Sequence, residues 1–532
     1  MSENEKLQNY EYSKVATLDG VIEKENVPLK YGYGVRYIQL VIYFLCIVVC
    51  FIGRGHMGVT VVAMTSNFHR NAKVVEHHVI NGIETNATTE YNATIKELNN
   101  TVIHESALDN ITAKRYTTYD WPKSTQEMML GSFFLGYCIM TFPIGLLTQR
   151  FGGKLPLQIA LLVNGLVSVM TPWLTDLGGW KAVCACRIAQ GLSQAGLYPS
   201  IQNLLAKWVP INERGTLTSY VYTGSTIGTV IAFQLSGLLS DSRWGWPSVF
   251  WAVGMVCLAL FLVLTVFGAA TPAQHSSISP EETNYIMGRI VEGKVRRPKT
   301  PWKAILRSRP MWATLTTHVG SGLIFVFYFT QMPSYIHYIL GINVRSSGLL
   351  SSLPYVASFF TSLAFGMISD YLTNNKILSL RNARRIFNTF AQIGICLPLV
   401  LASFTTNQYV ALFCLVFAMA AHVAIHVGWM VNHIDLTPNF SGTLMMLGNM
   451  LMNIFNVLLP ILVSHVVTDV GNQIQWRIMF FIVASISLLC NIVFVVWMSA
   501  DVQPWNDLDE NDTCLEEMKP EYEEDKKEKS ST

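Results

Sequence analysis

Two arginines lie where the surrounding sequence is apolar. Arg54, in the stretch CFIGRGHMGVTVVAM (residues 50–64), is the one full charge between Tyr37 and Met64. Arg187 sits inside a second apolar run, 181–206. An arginine at such depth costs roughly 2.5–3.5 kcal/mol on insertion scales. No Asp or Glu shares Arg54's run. A guanidinium fork matches carboxylate or phosphate oxygens, and a buried anion would offset the desolvation that either arginine alone would suffer. The chemistry on offer is therefore recognition of an anion inside an apolar bundle. The other reading is a packing arginine that snorkels or finds a carboxylate elsewhere.

Further polar residues fall at helical spacing. Arg187, Gln190, Gln194, Tyr198 and Gln202 form one stripe, with Pro199 expected to kink the helix that carries them. A second stripe holds His318, Ser321, Gly322, Phe325 and Tyr328. His422 and His426 form a third, with His433 beyond them, and Asn449, Asn453 and Asn456 a fourth. A histidine titrates near neutral pH, so His318, His422 and His426 are candidates to carry a coupling proton. Each stripe also suits a plain polar seam between helices. Gly224 and Gly228 read as a small-residue packing pair. HVAIH lacks the glutamate of a zincin, and Cys46/Cys50 and Cys184/Cys186 lack metal-ligand partners, so no metal, cofactor or enzyme chemistry is expected.

The elements that must position these groups follow from composition. Of 532 residues, 51% are hydrophobic and 14% charged, about half the charge of a soluble protein. A net charge of +2 gives no basic field for nucleic acid. The apolar residues come in long runs, and about 20 residues cross a hydrocarbon core. Twelve spans are expected, near 38–64, 125–148, 155–175, 181–206, 216–239, 248–269, 311–332, 348–370, 386–404, 408–430, 442–466 and 476–498. Lys and Arg crowd the connections after spans 2, 4, 6 and 8, which puts these and both termini in the cytosol. Residues 67–123 then lie outside, and they hold four N-x-T sequons at Asn86, Asn92, Asn99 and Asn110. Arg54 comes about 15 Å from the outer end of its span and Arg187 roughly 9–12 Å from its own, depths that suit one shared anion.

The expected division is a tail (1–36), a six-span half (37–270), a basic linker (271–310), a second six-span half (311–499) and a tail (500–532). A Ser279/Glu282 capping box is expected to open a helix in the linker. Six plus six spans around a central cytosolic loop is the plan of the major facilitator superfamily. GLLTQRFGGK and GMISDYL occupy equivalent places in the halves and resemble that superfamily's Gly-x-x-x-Asp-Arg-x-Gly signature, with Arg150 and Asp370 as its conformational charges.

A closer likeness rests on RGHMGVTVVAM, GSFFLGY, RIAQGLSQAGLYPSIQNLLAKWVPINERG, GWPSVFW, GLLSSLPYVAS, VNHIDLTPNFSGTLM and ADVQPWN. Together they resemble the anion:cation symporters: type I sodium/phosphate cotransporters, sialin and vesicular glutamate transporters. The likeness covers about 36–506 and is nearest the inorganic phosphate cotransporter branch. It implies secondary transport of a small organic or inorganic anion across a lipid bilayer, coupled to sodium or protons, with no obligate protein partner. It places substrate arginines at Arg54 and Arg187, and implies a conformational latch at Asn432 and Asp435. Gln194, Tyr198, His318 and Tyr328 are expected to line the cavity. Gln194 replaces the acidic residue of the vesicular and lysosomal branches; Ser321 or a neighbour stands where the glutamate branch carries a basic residue, and Leu130 where it carries a histidine. These departures point to the plasma membrane rather than an organelle. An anion channel, or an uncoupled potential-driven facilitator, is the alternative.

Overall fold

With no water in a hydrocarbon layer, a chain must satisfy its backbone internally, and helices do so within one segment. The computed structural model describes residues 32–81, 116–210, 214–287, 300–405, 407–437 and 440–506, with side chains undescribed at 66–81 and at a few positions between 145 and 219. The four sequons and the distal tails lie outside these residues. The regular structure among them is helical: α1 (Val35–Asn81), α2 (Lys123–Phe151), α3 (Lys154–Gln194), α4 (Leu197–Trp208), α5 (Arg214–Tyr222), α6 (Gly224–Ser240) and α7 (Gly245–Phe267). After the linker helices α8 (Pro280–Met287) and α9 (Trp302–Arg307) come α10 (Arg309–Tyr338), α11 (Val344–Asn374), α12 (Leu380–Phe404), α13 (Gln408–His422), α14 (Trp429–Leu436), α15 (Ser441–Val466) and α16 (Gln473–Trp497).

Ten helical stretches among the described residues are long and apolar enough to cross a membrane, against the twelve expected. The difference has two physical sources. The 55-residue stretch Lys154–Trp208 is a hairpin rather than one rod. Gly179, at φ 58 and ψ −147, turns the chain back in a conformation that a side chain would strain. Hydrogen bonds pair the legs in antiparallel register: Gln190 Nε2 donates to Ser168 Oγ at 2.9 Å, and Gln194 Nε2 to Asn164 Oδ1 at 2.8 Å. The fifth expected span is broken at Thr223, which leaves a 17-residue α6 below the length of a full crossing.

Side chains start the helices where the sequence supplies them. Asn343, Ser379, Asn407 and Asn472 cap α11, α12, α13 and α16, each accepting from backbone N–H groups of the first turn. Half of the expected capping box forms: the Glu282 N–H donates to Ser279 Oγ at 3.1 Å. The Glu282 carboxylate does not return to Ser279. It accepts instead from the backbone N–H groups of Val35 and Arg36, at 3.0 and 2.9 Å, and so caps α1. Two orphan donors at the mouth of a long helix are the better partner for a charged acceptor.

One large apolar cluster packs α1, α3, α4, α6 and α7 together in the first half. Another fills the second half and takes in Val59, Phe133, Phe134 and Phe233 from the first. The Gly224 and Gly228 pair serves packing, since each meets an α1 carbonyl, of Phe44 and Val48 respectively. The halves meet at the end bearing the 67–123 connection, here the loop end. Thr65 Oγ1 lies 3.1 Å from Tyr338 Oη, Gln234 donates to Ser352 at 3.2 Å, and Lys123 donates to Gln331 at 3.1 Å. At the opposite, linker end, a Cβ added to Gly366 or Gly442 would meet nothing within 4 Å. The bundle is closed at the loop end.

Candidate functional site

Arg54 and Arg187 arrive from α1 and α3 at one aromatic ring. Their guanidinium carbons lie 5.2 and 4.8 Å from the centroid of Phe133 on α2, so they are within 10 Å of each other. Two glycines permit this approach. Gly136 on α2 faces the Ile188 carbonyl, and Gly191 on α3 faces the Phe133 carbonyl, with no room for a Cβ at either. Phe51 and Tyr137 complete a wall around Arg54, at 4.8 and 5.1 Å from its guanidinium carbon. Aromatic faces tolerate a cation without neutralising it.

The two arginines are held differently. Arg187 is buried, and its Nη1 donates to Gly53 O at 3.2 Å and Gln190 Oε1 at 3.1 Å, its Nη2 to Arg54 O at 3.3 Å. These contacts fasten α3 to α1 and fix the backbone that carries Arg54. Arg54 Nε and Nη2 have no protein hydrogen-bond partner, nor has Arg187 Nε. Two like charges stand close together with donors to spare.

The rest of the fourth-span stripe splits. Gln190 and Gln194 turn into the hairpin, to Ser168 and Asn164, although Gln194 Oε1 stays unpartnered. Tyr198 stays near the arginines, edge-on to Phe51 at 6.3 Å and beside Tyr222 at 5.9 Å. The predicted kink is a break between α3 and α4 at Ala195–Gly196. Pro199 has no N–H to donate to the carbonyl of residue 195, four positions back.

Across the bundle, Tyr328 is buried in the cluster that fills the second half and takes in Phe133, with its hydroxyl unpartnered. His318 stacks on Trp429 at 4.4 Å and meets His433 edge-on at 5.5 Å. His422 and His426 flank a second break. After α13, 15 residues long, the chain makes a 3-10 turn at Val423–His426 before α14 resumes. His422 is buried with Nε2 unpartnered, while His426 is exposed and its Nδ1 lies 3.2 Å from Ser362 Oγ. Interrupted helices thus occur at corresponding places in the two halves, the fourth and tenth expected spans, the arrangement in which transporters build midplane sites.

The expected conformational residues divide. Asp435 pairs with Arg384, Nε to Oδ2 at 2.8 Å and Nη2 to Oδ1 at 3.4 Å, and Arg384 Nη1 also takes the Val427 carbonyl freed by the break. Asn432 donates to Thr314 at 2.9 Å. Both contacts tie helices within the second half. Arg150 and Asp370 are exposed at the linker end. Among the described residues no group of three or more His, Cys, Asp or Glu is placed to hold a metal ion.

Sequence reasoning missed several participants. His56 is fully buried on α1, edge-on to Phe250 at 5.0 Å, with Nε2 unpartnered. Two residues from Arg54, it was signalled only by being another polar group in an apolar run. Phe133 and Tyr137 gave no signal, because aromatic residues in a membrane span read as packing. Lys123 and Glu127, one helical turn apart, form a buried pair whose spacing alone could have drawn notice.

Residues 43–460 match the Major Facilitator Superfamily. Human sialin is 30% identical over 430 residues, covering 80% of this chain and 85% of sialin. The mouse sodium-dependent phosphate transport protein 1 is 27% identical, covering 76% and 86%. Among solved structures, an inward-facing bacterial homologue of the human lysosomal transporter Spinster superposes with a TM-score of 0.61 at 14% identity, covering 88% of this chain and 97% of that one.

Proposed function

This chain belongs to the Major Facilitator Superfamily, and within it to the anion:cation symporter family of sialin and the sodium-dependent phosphate transport proteins; on that premise we propose that it moves a small phosphate- or carboxylate-bearing anion by alternating access. The observation that carries the reading is the pair of arginines converging on Phe133 with unspent donors. Empty, the pair is electrostatically unfavourable. An anion between them removes the repulsion and supplies acceptors, so binding gains what the fold forgoes. Arg54, whose Nε and Nη2 have no protein partner, is the gripping group, and Arg187 both grips and braces. Tyr198 and Tyr137 bound the site laterally.

Twelve crossings follow in this reading if the Gly179 hairpin supplies two and α5 with α6 supplies one. Both termini are then cytosolic, the 67–123 loop is extracellular and glycosylated, and the plasma membrane is the expected site. A proton or sodium ion drives uptake, with His318, His422 and His426 as the proton candidates. The test is uptake into proteoliposomes under imposed sodium, pH and voltage gradients, using labelled phosphate, sialate and glutamate. A carrier shows accumulation and counterflow stimulated by the same anion on the far side. Flux of labelled anion without counterflow would replace the carrier by a channel.

A further inference from the structure

The loop end carries charge that the anion site does not use. Lys123 and Glu127, in the first two turns of α2, are 3% and 1% exposed, and Lys123 Nζ lies 2.6 Å from Glu127 Oε1. Among the described residues Glu127 is the one buried carboxylate on a membrane-crossing helix. Gln331 of α10, from the other half and itself fully buried, completes a ring. Its carbonyl oxygen accepts from Lys123 Nζ at 3.1 Å, and its amide donates to Glu127 Oε2 at 2.8 Å. Thr330 Oγ1 accepts from the same amide nitrogen at 3.1 Å and fixes its plane. Lys123 Nζ also lies 5.6 Å from the ring centroid of Trp476, again across the divide.

We propose that Lys123, Glu127 and Gln331 are positioning residues of the transport cycle, a charge-assisted latch that makes opening of the loop end all-or-none. This rests on the alternating-access reading. A buried ion pair recovers its desolvation cost only while its remaining hydrogen bonds are met. Gln331 supplies one to each partner, at Lys123 Nζ and Glu127 Oε2, when the halves are together, while Glu127 Oε1 has only the Lys123 charge beside it. If the halves part by an ångström or two, the amide leaves before water can enter, and an ion pair stands dry and under-bonded. If they part fully, water replaces the amide. The closed and the open arrangements are therefore both tolerated, and the narrow gap between them is not. A neutral or apolar trio in the same place would part gradually.

The test uses the full chain in lipid nanodiscs, with its accessible native cysteines replaced by serine and spin labels at Leu177→Cys and Ile474→Cys. These positions are exposed at the loop end of the first and second halves, 85% and 63% respectively. Pulsed dipolar spectroscopy should give two discrete distances in the parent, with populations shifted by a saturating transported anion. Gln331→Leu and Glu127→Gln should move the population toward the longer distance by about ten-fold or more, the effect of losing a hydrogen bond to a charged group. Lys123→Met with Glu127→Met, which removes both charges, should fill in intermediate distances. Discrete parental distances that all three variants reproduce, in protein that still binds anion, would overturn the latch alone. A single distance in the parent under every condition would overturn alternating access and the latch with it.

Discussion

Replacing Arg54 by methionine separates binding from folding, because Arg54 and Arg187 are built in so differently. Guanidinium carbons within 10 Å repel by roughly 1.7 kcal/mol or more at an effective dielectric near 20. Arg54→Met relieves that repulsion and an insertion cost, keeps most of the side-chain volume against Phe51, Phe133 and Tyr137, and strands no partner of the Arg54 guanidinium. Thermal stability of the empty protein should therefore hold or rise. Anion affinity should fall about 10- to 150-fold, the worth of roughly 1.5–3 kcal/mol for a charged hydrogen bond. Arg187→Met loses binding similarly but also frees the Gly53 and Arg54 carbonyls and the Gln190 amide oxygen, so its melting temperature should drop. The double variant should bind little worse than either single one, since both grip one anion. Equilibrium binding of labelled anion to purified protein, paired with thermal unfolding in the same detergent, reads both quantities. Arg54→Met protein that keeps full affinity while melting several degrees lower would refute the reasoning and make Arg54 a packing residue.

Three further outcomes follow from particular contacts. Gly179→Val forces a β-branched residue to φ 58 and should cost about 1–3 kcal/mol, read as a lower melting temperature with the anion affinity of surviving protein little changed. The triple variant His318→Gln, His422→Gln and His426→Gln should lose proton-driven accumulation while keeping anion counterflow; wild-type proton-driven uptake would remove all three from that role. Glu282→Ala withdraws the acceptor for the Val35 and Arg36 N–H groups and should cost about 1 kcal/mol, seen as faster hydrogen exchange at the start of α1.

What sequence alone disclosed tracks how local each cause is. Arg54 and Arg187 stood out because a charge in an apolar run is anomalous wherever the chain folds. Pro199 announced the break at Ala195–Gly196, since a missing N–H acts on its own helix. The matching break after His422 has no proline to announce it, and it is held by Arg384 reaching the Val427 carbonyl from another helix. The destinations of Gln190 and Gln194 were hidden for the same reason: the helical period shows which face they share, and only the Gly179 turn brings Ser168 and Asn164 to it. Glu282 obeyed its local motif halfway, then found stronger donors 246 and 247 residues away in sequence. Lys123 and Glu127 were obscured by lying where a polar loop gives way to a helix, so their charge read as the edge of water.

The Glu282 cap also decides where this polypeptide could be cut in two. Helix α8 is chemically part of the bundle that precedes it, because its carboxylate terminates α1. Severed just after α7, that bundle would lose its stopper to the other fragment, and α1 would be capped only after the two pieces had met. Severed after Met287, each piece would carry its own terminations. Co-expressed halves divided there would be the natural starting point for a split transporter whose assembly reports on the contacts between the halves, free of the α1 cap.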